Sequence, residues 1–254
     1  MDRDRAVDRV ESIVDRVERE PMPVPVREVW VFGDVALGLD PIDRLDVYVT
    51  KDVLMESDAD AAAAFKREYG VDGVGTTVRA SWAERNPDRV RASENGYAAP
   101  EKCLAAALLG GADDAADDPI HLEVCNASFD DNVTQRLKGA LAREAYAEVL
   151  DPRGVWLWVD GERDDAAFAR LRAAAVAMPT LSAALEMLGV DDADTAAAIA
   201  DALAADRAEQ EASSVRGDMV CADRRPRAGR ASDSSCARAV RPHGRHGDDV
   251  RGVY

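Results

Sequence analysis

Residues 29–50, VWVFGDVALGLDPIDRLDVYVT, leave the chain little freedom in how it folds. An apolar run from Val29 to Phe32 breaks at Gly33 and turns through Ala36, Leu37 and Gly38. After an acidic segment it resumes as Leu45-Asp46-Val47-Tyr48-Val49. Two short β-rich runs joined by a glycine turn predict a pair of strands, and the carboxylates at the joint make it a candidate place for chemistry. Side chains of a strand alternate between its faces, so Arg44 is expected to point with Asp46, and Asp43 away from it.

The flanking sequence supplies helices to cover such a sheet. Over residues 3–18, Val7, Val10, Ile13, Val14 and Val17 recur at steps of three and four, and Pro21, Pro23 and Pro25 end the pattern. Further helices are expected over 58–69, over 101–109 with Gly110 and Gly111 as stop, and over 131–150, where Val133, Leu137, Leu141, Ala145 and Val149 form a stripe. Residues 73–80 have strand character. Residues 119–125, PIHLEVC, predict a strand with His121, Glu123 and Cys125 on one face and Ile120, Leu122 and Val124 on the other. VWLWV, residues 155–159, predicts a central strand buried on both faces. Helices follow over 164–178, 181–188 and 194–211. The last is Ala-rich, with Ile199 and Leu203 as its best anchors, and needs something to hold it. An unidentified protein partner, or self-association through these C-terminal helices, would do so.

The hairpin resembles the signature of the minimal-type nucleotidyltransferase superfamily. There a strand runs into Gly-Ser, a turn follows, and a second strand carries Asp-x-Asp. The resemblance implies an α/β fold with a mixed sheet and covering helices over residues 1–160. It also implies that Gly33, Asp34 and Gly38 approach the nucleotide and that Asp46 and Glu123 are the catalytic carboxylates. In an active enzyme Asp43, Asp46 and Glu123 would hold Mg²⁺ or Mn²⁺, and a nucleotide would pass from an NTP to an acceptor. Two positions depart from the pattern: Asp34 stands where the superfamily has serine, and Arg44 where it has the first aspartate. A guanidinium there repels a cation and neutralises Asp46. The expected function is therefore a degenerate nucleotidyltransferase-like domain, without a cofactor, serving as a binding or assembly module; the alternative is the metal-dependent enzyme. His121 beside Glu123 reads as a paired structural group. His-x-Glu also occurs in zinc deaminases, but no Pro-Cys-x-x-Cys follows.

Acids are too common here for each to mark a site. Asp and Glu number 49 against 32 Lys and Arg, a net charge of -17, and only four of the 32 cations are lysine. That balance argues against general binding to nucleic acid or to an anionic membrane. With so much alanine, the chain resembles cytoplasmic proteins of extreme haloarchaea. The first residues carry no apolar signal segment, and the longest apolar run, 103–109, is too short to span a bilayer, so a cytoplasmic location is expected. Cys103, Cys125, Cys221 and Cys236 show no paired spacing and read as free thiols. A helical segment is expected over 161–212. From residue 213 the composition changes to nine arginines against five acids, with scattered Gly and Pro, and a disordered basic tail is expected over 213–254. Its composition fits the product of a shifted reading frame in GC-rich DNA better than a nucleic-acid arm. Translating the other two frames of the gene would dismiss the frameshift if neither continues the acidic helix.

Overall fold

The computed structural model describes residues 1–52, 60, 63–64, 67–68, 78–79, 81–90, 97–110, 118–209 and 214–216. Asp2 accepts from the backbone N–H of Arg5 and caps α1 (Arg3–Arg19), whose residues Val7, Val10, Ile13, Val14 and Val17 are all buried, as their spacing predicts. Strands β1 (Val26–Phe32) and β2 (Leu45–Lys51) follow as an antiparallel pair. The two-residue strands β3 (Val78–Arg79) and β4 (Tyr97–Ala98) pair with each other, with α2 (Ser81–Arg85) between them. Residues 60, 63–64 and 67–68, within the helix expected over 58–69, are helical; the rest of that helix and most of the strand expected over 73–80 lie outside the described residues.

Helix α3 (Pro100–Leu109) leads to β5 (Ile120–Cys125), which lies parallel to β2, and then to α4 (Phe129–Arg143). A 3-10 turn, Tyr146–Glu148, precedes β6 (Val155–Val159) and β7 (Glu162–Arg163). Helices α5 (Asp165–Arg172), α6 (Leu181–Met187) and α7 (Ala193–Glu209) and the strand β8 (Ser214–Arg216) complete the described chain, all of it in one unit, Met1–Ala222. The main sheet is mixed, with strand order β7-β6-β1-β2-β5-β8. Ser214–Arg216 is thus a strand where a disordered tail was expected, because its backbone groups pair with the edge of β5; the rest of that expectation lies outside the described residues.

Three expectations are corrected. α4 ends at Arg143 rather than near 150, with Glu144 in the left-handed region at φ 54. A strict four-residue repeat drifts by about 40° per step around a 3.6-residue helix, so Ala145 and Val149 would have left the covered face. α5 ends at Arg172 rather than 178: Ala174 turns the backbone at φ 50, and Val176 and Met178 pack against the core from beyond the helix. β6 is the second strand from the edge, not a central one, and Trp156 is 37% exposed.

The two faces of the sheet differ in chemistry. Val29 and Val31, Leu45, Val47 and Val49, and Ile120, Leu122 and Val124 join one aliphatic core with residues of α1, α3 and α5. Arg163 of β7 fixes α1 to this side. Its guanidinium pairs with Glu11 and Asp15 at 2.6 Å, with Glu18 at 3.3 Å and with Asp165 at 2.8 Å, and lies 4.7 Å over the Phe168 ring. Arg163→Ala is expected to cost about 2 kcal/mol, since its partners are partly solvated. Urea unfolding at high salt reads this, and a loss under about 0.5 kcal/mol would mean that the network adds no stability.

Candidate functional site

The register sets out the other face residue by residue. Glu28, Trp30 and Phe32 of β1 lie opposite Thr50, Tyr48 and Asp46 of β2. These in turn lie opposite Cys125, Glu123 and His121 of β5. Nine adjoining positions on three strands are thus polar or aromatic, beneath α4. At one end Glu28 Oε2 accepts from Trp30 Nε1, Thr50 Oγ1 and the backbone N–H of Phe129, which ties the start of α4 to β1 and β2. In the middle, the Tyr48 hydroxyl donates to the carbonyl of Ala127 at 2.8 Å. Burial raises the Tyr48 phenol well above its usual range, and burial with the nearby Glu123 carboxylate raises the Cys125 thiol. Both therefore stay protonated near neutral pH, and Cys125 is a poor nucleophile.

At the other end lie the residues singled out in the sequence. Asp46 is 1% exposed, and its Oδ1 accepts from Arg44 Nε at 2.7 Å. The rings of Phe32 and His121, from the strands on either side of Asp46, meet edge to face with centroids 6.3 Å apart. Glu123 is 3% exposed, and its Oε1 accepts from Arg136 Nη1 of α4 at 2.6 Å, while Arg136 Nε donates to the carbonyl of Glu148. A small cleft opens here, with Phe32, Arg44, His121, Glu123 and Arg136 among its walls. Position 123 lies one register step from position 46, since Asp46 is opposite His121 and Glu123 opposite Tyr48.

The remaining candidates sit elsewhere. Gly33 and Gly38 take positive φ, 69° and 75°, as the turn between β1 and β2 requires. Gly38 lies against Ala174 after α5, and Arg3 donates to the carbonyl of Val35 in the same turn. The Asp34 carboxylate accepts from the backbone N–H of Asp43 and so closes the turn, while Asp43 is exposed. None of these four residues is among those lining the cleft.

These residues do not fit a divalent ion. A hard cation in such a site takes one or two carboxylates plus phosphate oxygens, and a two-ion clamp needs carboxylates that bridge. Asp46 and Glu123 each already accept from a guanidinium, and Asp43 lies outside the cleft. Among the described residues, no three of His, Cys, Asp and Glu come together as metal ligands. What the cleft can do chemically is donate hydrogen bonds from arginine and present ion pairs to a partner. Arg136 was not anticipated from sequence. Its signal was its place in α4 beside Val133 and Leu137, the side that packs on the sheet. Glu28 was missed too, although a lone carboxylate two residues before Trp30 in an apolar strand was visible.

Fold and site define a mixed α/β domain whose polar face is closed by arginine–carboxylate pairs. The chain belongs to DUF7095, a family of unknown function, which matches residues 2–220. No curated protein and no solved structure matches it. No helix among the described residues is long and apolar enough to cross a membrane.

Proposed function

We propose that this is a nucleotidyltransferase-like domain in which arginines stand where that superfamily holds metal ions, and that it serves as a cytoplasmic binding or assembly module. The observation that carries the reading is the pair of contacts at the two carboxylates, Arg44 on Asp46 and Arg136 on Glu123. The topology supports the likeness: a helix precedes β1, β1 and β2 are antiparallel around a glycine turn, and β5 runs parallel beside β2. A cation entering this site would displace both guanidinium groups and meet their charge. The acidic, lysine-poor composition supports a cytoplasm of high salt, where screening relieves the self-repulsion of 17 net negative charges.

Titration calorimetry of ATP and GTP with Mg²⁺ or Mn²⁺ in multimolar KCl tests this reading. The folded protein should show no metal-dependent heat of nucleotide binding. Binding that needs the metal and disappears in Asp46→Ala would replace the module with an active transferase.

A further inference from the structure

Three carboxylates stand on the polar face, and the chain does not treat them alike. Asp46 carries Arg44 and Glu123 carries Arg136, whereas among the described residues no cation pairs with Glu28. Its Oε2 accepts from Trp30 Nε1 at 3.1 Å and from Thr50 Oγ1 and the backbone N–H of Phe129, each at 3.0 Å. These neutral donors hold the carboxylate in place without cancelling its charge, and its Oε1 has no partner among the described residues. Arg27, its neighbour in sequence, is taken up by Asp52 at 3.2 Å and Asp160 at 2.8 Å.

Beside Glu28 the face carries two tryptophans. Trp156 of β6 lies opposite Trp30 of β1 in the register, so both indoles share the face of Glu28. One side of Trp30 is stacked on the Phe129 ring at 4.7 Å, and the residue stays half-buried. Trp156 is the one aromatic among the four large apolar residues exposed in the described chain, and it meets no other ring there. Diagonal neighbours on adjacent strands are within reach of long side chains, which sets an open indole next to an uncompensated carboxylate. Asp130 and Asp131, which follow Phe129 in the first turn of α4, are exposed and add negative charge.

We propose that Glu28, Trp30 and Trp156 form a docking site for an arginine side chain presented by a protein partner. The charge of Glu28 selects a cation, and the open indole selects one that stacks. A guanidinium is planar and weakly hydrated, so it lies on an indole while donating to a carboxylate oxygen; the ammonium of lysine is compact and strongly hydrated. Salt screens the Coulomb attraction but leaves the stacking. The fold uses the same combination internally at Arg163, which pairs with Glu11 and Asp15 while lying over the Phe168 ring at 4.7 Å. At Asp46 and Glu123 the chain supplies the arginine itself; at Glu28 the partner supplies it. This inference rests on the binding part of the reading above and needs neither nucleotide nor metal, so the calorimetry and the titration below fail separately.

Titration of Nα-acetyl-arginine amide into the ¹⁵N-labelled full chain in multimolar KCl, followed by NMR, tests this. The indole N–H signals of Trp156 and of Trp30, which bonds to Glu28, should shift saturably, while those of Trp82 and Trp158, buried in the aliphatic core, stay in place. The citrulline amide, a neutral isostere, and the lysine amide should each bind about fivefold more weakly or worse. Trp156→Ala should weaken arginine binding about fivefold, read at Trp30, and Glu28→Gln about tenfold. The absence of a saturable shift, an equal response to the citrulline or the lysine analogue, or binding that survives Trp156→Ala unchanged would overturn the proposal. Should Glu28→Gln loosen α4, whose first N–H it holds, the exposed Trp156→Ala still decides the matter.

Discussion

Phe129→Ala should cost about 4 kcal/mol, the largest loss expected from any single truncation on the polar face. Phe129 is the first residue of α4 and is 1% exposed. Its ring stacks on Trp30 at 4.7 Å, meets Tyr48 edge-on at 5.3 Å and lies 6.1 Å from Phe32. It therefore touches both strands of the hairpin from the helix above them. The chain makes room for it at Gly154, where a Cβ would come within 2.7 Å of the Phe129 ring. Truncation removes the transfer free energy of the ring and leaves a cavity that α4 cannot close while Glu28 holds its first N–H. Denaturant unfolding in multimolar KCl measures the loss, and near-UV circular dichroism should lose the signal of the stacked Trp30. A cost below about 1 kcal/mol would mean that α4 is held mainly elsewhere.

Much of this architecture was legible because burial imposes a period. Val7 to Val17 read as one helical stripe and are one, and PIHLEVC read as a strand with His121 and Glu123 on one face, where both are found. The face of Arg44 was legible in the same way: two residues from Asp46, its guanidinium reaches that carboxylate. The contacts of Arg136 with Glu123 and of the Phe129 N–H with Glu28 were not, because both donors come from α4, and packing across 13 or 101 residues leaves no local pattern. The exposure of Trp156 was hidden for a similar reason. An apolar run says that a strand is buried but not where it stands in the sheet, and β7 beside it has only two residues. The ends of α4 and α5 depended on backbone turns at Glu144 and Ala174, residues with no turn preference to read.

Asp46→Asn carries the second large effect, a loss of about 3 kcal/mol. The change keeps the shape of the side chain and removes its charge. Arg44, with its side chain 11% exposed, then faces a neutral amide in place of a carboxylate. Glu123→Gln should act the same way through Arg136, though less strongly, because that guanidinium is 18% exposed and keeps its bond to the carbonyl of Glu148. The sign of these effects separates the two accounts of the site. In an active transferase without its metal, clustered carboxylates repel one another, and neutralising one stabilises the fold at the expense of function. In a site already neutralised by arginine, the same change destabilises it.

Thermal melting of the wild type and Asp46→Asn in multimolar KCl, each with and without Mn²⁺, tests the central claim most directly. The arginine-paired site predicts that Asp46→Asn melts roughly 6–12 °C below the wild type, and that Mn²⁺ moves neither curve. An Asp46→Asn protein that melts as high as the wild type or higher, together with a wild type that Mn²⁺ stabilises, would contradict it.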